Sequence, residues 1–177
     1  MPLGEALVMK AGGSIRACDI FDVKDEINSI PCFGGNGIRG FVKEPNQNDD
    51  AVLIGRQGAL CGNVQFAKAP FYATEHAVVA RPKTDMNLRY LYHVLVVADL
   101  AKYKTAGAQP GLSVQRLERV CIPVPAPEEQ EYIVSTLDKF DALVGAISEG
   151  LPSEIEARRR QYEHYRDKLL SFKEKIA

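Results

Sequence analysis

Gly55-Arg56-Gln57-Gly58 sets a guanidinium and a primary amide side by side between two glycines. An arginine can donate two hydrogen bonds to guanine O6 and N7, and a glutamine can pair with adenine N6 and N7. The same residues can instead serve the fold, with Arg56 paired to a carboxylate and Gln57 capping a turn. Gly35-Asn36-Gly37-Ile38-Arg39-Gly40 offers another amide and another guanidinium on a tight glycine-rich turn. Lys102-Tyr103-Lys104-Thr105-Ala106-Gly107-Ala108-Gln109-Pro110-Gly111 is a basic loop, or equally a solvated connector. By side-chain chemistry, Asn36, Arg39, Arg56, Gln57 and Gln109 are the candidates for base contacts. Lys43, Lys68 and Lys104 are the candidates for phosphate contacts.

Other chemistries fail on context. Residues 35–40 match G-x-G-x-x-G, but a dinucleotide fingerprint leaves a strand and opens a helix. Here Phe41 to Asp50 follows, with a proline and polar turn-formers, so no helix N-terminus is offered to a pyrophosphate. Residues 55–58 lack the lysine of a phosphate-binding loop. His76 beside Glu75 has no nucleophile or oxyanion loop to serve, and reads as a structural histidine. Cys18, Cys32, Cys61 and Cys121 are far apart, and His76, His93 and His164 add no zinc-ligand spacing. Free thiols in a reducing cytosol are the expectation. Neither a G-x-S-x-G elbow nor the Asn/Asp-Pro-Pro-aromatic segment of amino-methyltransferases occurs. The chain reads as a non-catalytic binder without metal or cofactor.

These side chains need elements to hold them. The 177 residues are 46% hydrophobic and 25% charged, which is globular composition and enough for one domain with an appendage. No apolar stretch approaches the roughly 18 residues of a membrane span, and Met1-Pro2-Leu3-Gly4-Glu5 does not open a signal peptide. A cytoplasmic protein with no membrane partner is expected. The net charge of −1 divides into +2 over residues 1–127 and −3 over 128–177. A nucleic-acid surface would therefore be local, and in the first part. Up to about Pro125 the pattern is mixed α/β, an α+β domain rich in loops. Ala51–Ile54, Ala77–Ala80 and Val120–Ile122 read as short buried strands. A helix is expected from Asn87, its cap, to Tyr103, with Leu88, Leu91, Leu95 and Ala98 on one face. Ser113 is expected to cap a short turn through Leu117.

After Val124-Pro125-Ala126-Pro127 the pattern becomes helical. Ile133, Leu137, Phe140, Val144 and Ile147 recur as a heptad seam over about 128–148. Gly150-Leu151-Pro152 predicts a break. Ser153 and Glu156 then form a capping box for a second helix, 153–177. Ile155, Tyr162, Leu169 and Ile176 lie seven apart, with Arg158, Tyr165 and Phe172 in the other seam position. Arg158-Arg159-Arg160 points in several directions on a helix and reads mainly as a solvated face. The second helix would be a rod of about 37 Å, close to one DNA turn of about 34–36 Å. Two copies paired antiparallel would hold two heads about a turn apart; a hairpin folded on its own domain is the alternative.

Read together, these residues resemble the specificity subunits of type I restriction–modification systems. The likeness is to one half of such a subunit: a target recognition domain (1–126) followed by a conserved helical region (127–177). It is carried by Leu3-Gly4-Glu5, Ile30-Pro31-Cys32-Phe33, Val52-Leu53-Ile54-Gly55-Arg56-Gln57-Gly58 and Leu112-Ser113 through Leu117. It continues through Ile122-Pro123-Val124-Pro125, Pro127-Glu128-Glu129-Gln130 with Ile133-Val134, and Gln161 to Phe172. The Pro-x-Pro-x-Glu-Gln junction and the helical segments are its specific part. The resemblance implies a DNA-recognition subunit that binds no cofactor and catalyses nothing. Modification subunits would carry S-adenosylmethionine and methylate adenine N6, and restriction subunits would use ATP. A full subunit of this family has two recognition domains and two helical regions, and this chain has one of each. That implies a half-subunit that pairs with a second copy, through Ile155, Tyr162, Tyr165, Leu169, Phe172 and Ile176, or a fragment of a longer protein. Double-stranded DNA with a bipartite, inverted site is the implied target. The competing expectation is a helical-hairpin module that binds protein and reads no DNA.

Overall fold

The computed structural model describes residues 1–58, 60–105 and 110–170. The chain divides into two compact units, Met1–Val134 and Ser135–Ala177. In the first, a one-turn helix α1 (Leu3–Ala6) runs into β1 (Leu7–Ala11). Then come β2 (Ile30–Gly34), β3 (Gly37–Val42), β4 (Ala51–Gly55), β5 (Val64–Ala67), β6 (Tyr72–Ala73) and β7 (Ala77–Pro82). Helices α2 (Leu88–Val97), α3 (Val114–Leu117) and α4 (Pro127–Leu170), with 3₁₀ turns at Ala17–Asp19 and Leu100–Tyr103, complete the described elements.

Two sheets form, one of order β1-β7-β4-β5 with antiparallel pairing throughout, the other of order β3-β2-β6. In the second, β2 pairs antiparallel with β3 and parallel with β6. Side chains alternate across a strand, so a strand covered on both faces must be apolar at every position. That is the case for β4, buried from Ala51 to Gly55. Val52 and Ile54 join the core that holds Leu91 and Leu95 of α2, with Val64, Val78 and Ala80. Ala51 and Leu53 join a second core with Phe33, Phe71, Ala73 and Val79. Helix, four-stranded sheet and three-stranded sheet thus make three layers around two cores. Each fully buried Leu, Ile, Val or Phe contributes roughly 1.5–3 kcal/mol of transfer free energy. Phe33 and Phe71 add an edge-to-face contact at 5.6 Å.

The strands at Ala51–Ile54 and Ala77–Ala80 match their expectation, as does the turn over α3, where Ser113 Oγ accepts from the Arg116 N–H at 3.3 Å. Asn87 caps α2, its Oδ1 accepting from Arg89 N at 2.8 Å and Tyr90 N at 3.1 Å. The helix ends earlier than its apolar spacing predicts. Asp99 takes a left-handed conformation (φ 47°), tolerated by Asp better than by most residues, and a 3₁₀ turn over Leu100–Tyr103 buries Leu100. Val120-Cys121-Ile122 is not a strand. Leu3 N donates to Val120 O at 2.8 Å and Ile122 N to Met1 O at 3.0 Å, around a single bridge between Pro2 and Cys121. Pro2 and Pro123 lack the N–H groups a longer ladder needs.

The largest difference lies at Gly150-Leu151-Pro152. The sequence predicts two helices with a break there, and the structure runs one 44-residue helix through it. A proline inside a helix removes one donor and crowds the carbonyl four residues back, at a cost of about 3 kcal/mol. Long runs of good helix formers flank it on both sides. Ser153 is accordingly interior to α4 and opens no second helix. Glu154–Arg158 at 3.0 Å and Glu156–Arg160 at 2.9 Å pair across the next turns, which agrees with a solvated face for the arginine run. Ile155, Tyr162, Tyr165 and Leu169 all fall within α4. Phe172 and Ile176 lie outside the described residues.

Candidate nucleic-acid interface

Arg56 and Gln57 leave the end of β4, where the backbone is clamped from two sides. Arg56 N donates to His76 O at 2.9 Å, and Leu112 N donates to Arg56 O at 2.9 Å. Gln57 makes a bridge to Gly111, and Thr105 closes the base of that loop, its N–H donating to Gly111 O at 2.9 Å. The main chain is thus fixed while the side chains stay available. Arg56 is half-buried, Gln57 is exposed, and the Arg56 guanidinium has no ion-pair or hydrogen-bond partner among the described residues. Among the described residues, the carboxylate partner that a purely structural Arg56 needs is not found.

The β2–β3 hairpin brings Asn36 to the same edge. Its tip, Gly35-Asn36, presses on the end of β4: a Cβ on Gly55 would collide with the Gly35 carbonyl oxygen. Gly37 turns the hairpin with φ 112°, and a Cβ there would lie 2.8 Å from Gln65 Nε2. Asn36 is exposed, and its Oδ1 accepts from Asn63 Nδ2 at 3.0 Å. Arg39, exposed on β3, packs along Gly34. Lys104 is exposed and close enough to act on Cys61: burial pushes that thiol up, and the lysine pulls against it. Within β2 of the hairpin, burial pushes the Cys32 thiol up to about 11, with Arg39 acting against the rise and Glu75 adding to it.

Asn36, Arg39, Arg56, Gln57 and Lys104 therefore share one edge, built from three loops. Lys43 and Lys68 do not join them. Lys68 follows Ala67, which pairs with Ala51 at the opposite end of β4. Lys43 follows Val42, which pairs with Ile30 at the foot of the hairpin. At about 3.3 Å per strand residue, Lys68 lies about 15–20 Å from Arg56, and Lys43 lies more than about 20 Å from Asn36 and about 13 Å from Arg39. Gln109 lies outside the described residues. Beside Asn36 a cleft of about 490 Å³ opens between the Leu60–Val64 loop and the end of α2, with Tyr92, Val96 and Asp99 on its far wall. His76 sits on the same edge, its Nε2 3.5 Å from Glu75 Oε1, both side chains more than a third exposed. Among the described residues no cluster of His, Cys, Asp and Glu could hold a metal ion.

Residues 7–157 match the family model described as the type I restriction modification DNA specificity domain. The chain belongs to that family. It is 50% identical over 147 residues to the type I restriction enzyme EcoprrI specificity subunit of Escherichia coli, covering 83% of this chain and 37% of that protein. It is 40% identical over 109 residues to the EcoR124I/EcoR124II specificity subunit of the same organism, covering 59% and 27%. The crystal structure of a type I restriction–modification S subunit from M. genitalium superposes with a TM-score of 0.73 at 20% identity, over 96% of this chain and 44% of that one. The HsdS subunit from Thermoanaerobacter tengcongensis gives 0.66 at 21% identity, over 94% and 43%. The chain spans less than half the length of each of these relatives. The fold of this specificity-domain chain is shared with the matched part of the solved S subunits.

Three residues of the specificity domain have roles that sequence reasoning did not assign. Asn63 and Gln65 meet the hairpin tip, and neither stands in a motif; the only signal was their position around the start of a strand, after a glycine. Gln130, 2% exposed, joins the first turn of α4 to the rest of its unit. Its Oε1 accepts from Asn87 N at 2.9 Å and its Nε2 donates to Pro125 O at 2.9 Å. The Pro-x-Pro-x-Glu-Gln junction marks this residue. Its role shows only once α2 is seen to lie beside it.

Proposed function

We propose that this chain selects the DNA sequence on which a type I restriction–modification complex acts. The observation that carries the reading is Arg56, its backbone held by His76 and Leu112 and its guanidinium unengaged among the described residues. With Gln57, Asn36 and Arg39 on the same edge, it offers the donors and acceptors that read base edges in a major groove. Lys104 supplies a phosphate contact beside them, and Gln109 is a further base contact from the same loop. Lys43 and Lys68 reach phosphates only at the flanks of such a site.

The chain itself is non-catalytic and holds no cofactor in this proposal. Modification subunits bring S-adenosylmethionine and methylate adenine, and restriction subunits bring ATP-driven cleavage. A second copy pairs antiparallel along α4 through Ile155, Tyr162, Tyr165, Leu169, Phe172 and Ile176, so that a cytoplasmic homodimer reads a bipartite site with inverted halves. Support for a helical partner comes from Leu137, Phe140 and Leu143, exposed along α4. The same exposure favours the second reading, a protein-binding module without DNA readout. Duplex binding measured with modification subunits present, across a salt series, separates the two. DNA reading requires affinity that falls with salt and depends on sequence; salt-insensitive, sequence-blind retention supports the module.

A further inference from the structure

Asn36 stands on the exposed tip of a hairpin, where an amide side chain ordinarily samples several rotamers. Here it is tied down. The Asn63 Nδ2 group donates to its Oδ1 at 3.0 Å, from the loop between β4 and β5. The two loops also meet through main chain. The Gly35 carbonyl abuts Gly55, and a Cβ on Gly35 would lie 3.1 Å from both Gln57 O and His76 O. The hairpin tip and the Arg56-Gln57 loop are therefore one packed body, and Asn63 is the side chain that fixes the direction of the outermost amide.

We propose that Asn63 is a positioning residue for DNA readout, which holds Asn36 so that its Nδ2 donates to N7 of a purine. This rests on the DNA-reading proposal above and goes beyond it in naming the residue and the base class. Asn63 engages one of the two Oδ1 lone pairs of Asn36, while its Nδ2 group keeps both hydrogens and is the function left wholly open. A fixed donor at a major-groove edge meets N7 on adenine and guanine alike, and no pyrimidine carries an acceptor at that place. Holding it before contact removes the ordering cost that a free side chain meets on binding.

The test is selection of duplexes from a library randomised across the site, using the full chain with modification subunits. Wild type, Asn36→Ala, Asn63→Ala, Asn63→Gln and the double alanine variant are compared. The wild type is expected to show one purine position whose preference falls about tenfold in Asn36→Ala. Asn63→Ala flattens the same position, and the double variant is no worse than either single change. Asn63→Gln, which keeps an amide donor, restores part of the preference. Thermal melts coincident with wild type separate this from unfolding, and Asn36→Ala, at an exposed tip, remains as the control if Asn63→Ala melts early. A wild type that enriches a motif untouched by Asn63→Ala, or additive losses in the double variant, overturns this proposal alone. A wild type that enriches nothing overturns the DNA-reading proposal and this one with it.

Discussion

At the residue scale, the availability of a side chain matters more than its type. Arg16 and Asp19 are spent on each other at 2.8 Å, whereas Arg56 is not spent among the described residues. Arg56→Ala is expected to weaken binding by about 1–3 kcal/mol and relax one position of the target. Methylome sequencing of a strain carrying the variant checks it, and an unaltered motif removes Arg56 from the readout. Lys104→Ala is expected to weaken binding on all sequences alike and reduce the salt slope by about one, as read from titrations at several salt concentrations. Cys32 gives a test of the core that needs no DNA. Its thiol is buried, and its pKa is raised from 9.0 to about 11. The unfolded chain therefore ionises first. The stability from keeping Cys32 neutral is complete below pH 9 and is lost as pH rises through 11. Cys32→Ala should flatten that part of the stability profile in urea unfolding; an equally steep decline would assign it elsewhere. The position of Arg56 and Gln57 at the turn that leaves β4 was legible from the apolar strand before them and from the flanking glycines. Asn63 was not, because its role depends on a hairpin 27 residues away in sequence.

At the scale of elements, legibility followed burial. The strand Ala51–Ile54 could be read because both its faces are covered and every residue is apolar. β5, with Gln65 and Phe66 half-exposed, and the two-residue β6 carry too little pattern to read alone. Periodicity placed α2 correctly at its start, where a cap acts locally. It overran the end, where a left-handed Asp99 and the burial of Leu100 decide. The break expected at Gly150–Pro152 is the opposite error, a local signal overruled by strong helix formers on both sides. Two substitutions probe these joints. Gln130→Leu leaves the Asn87 N–H and the Pro125 carbonyl without their partner and should cost about 1–3 kcal/mol of stability; a melting temperature equal to wild type would contradict the bond. Gly55→Ala drives a Cβ into the Gly35 carbonyl and should displace the hairpin tip, weakening DNA binding even where the fold survives. Comparing its melting with its affinity for duplex separates the two effects.

At the scale of the whole molecule, the homodimer proposal makes a claim that genome sequencing decides. Two identical heads impose a methylated motif with inverted, equal halves around an unread gap; an asymmetric motif excludes the pairing of like with like. Sequence reading located the change to helical pattern after Pro125, where α4 begins at Pro127, whereas the two compact units divide later, after Val134. It did not reach the way the first turn of α4 is secured. Gln130 reaches its neighbours only through main-chain atoms, the amide of Asn87 and the carbonyl of Pro125. Such a clasp is blind to what the reading loops carry. On the DNA-reading proposal, Asn36, Arg39, Arg56, Gln57 and Lys104 can be exchanged for others of different chemistry while the anchorage stays as it is, so that a new target can be acquired without renegotiating the joint behind it.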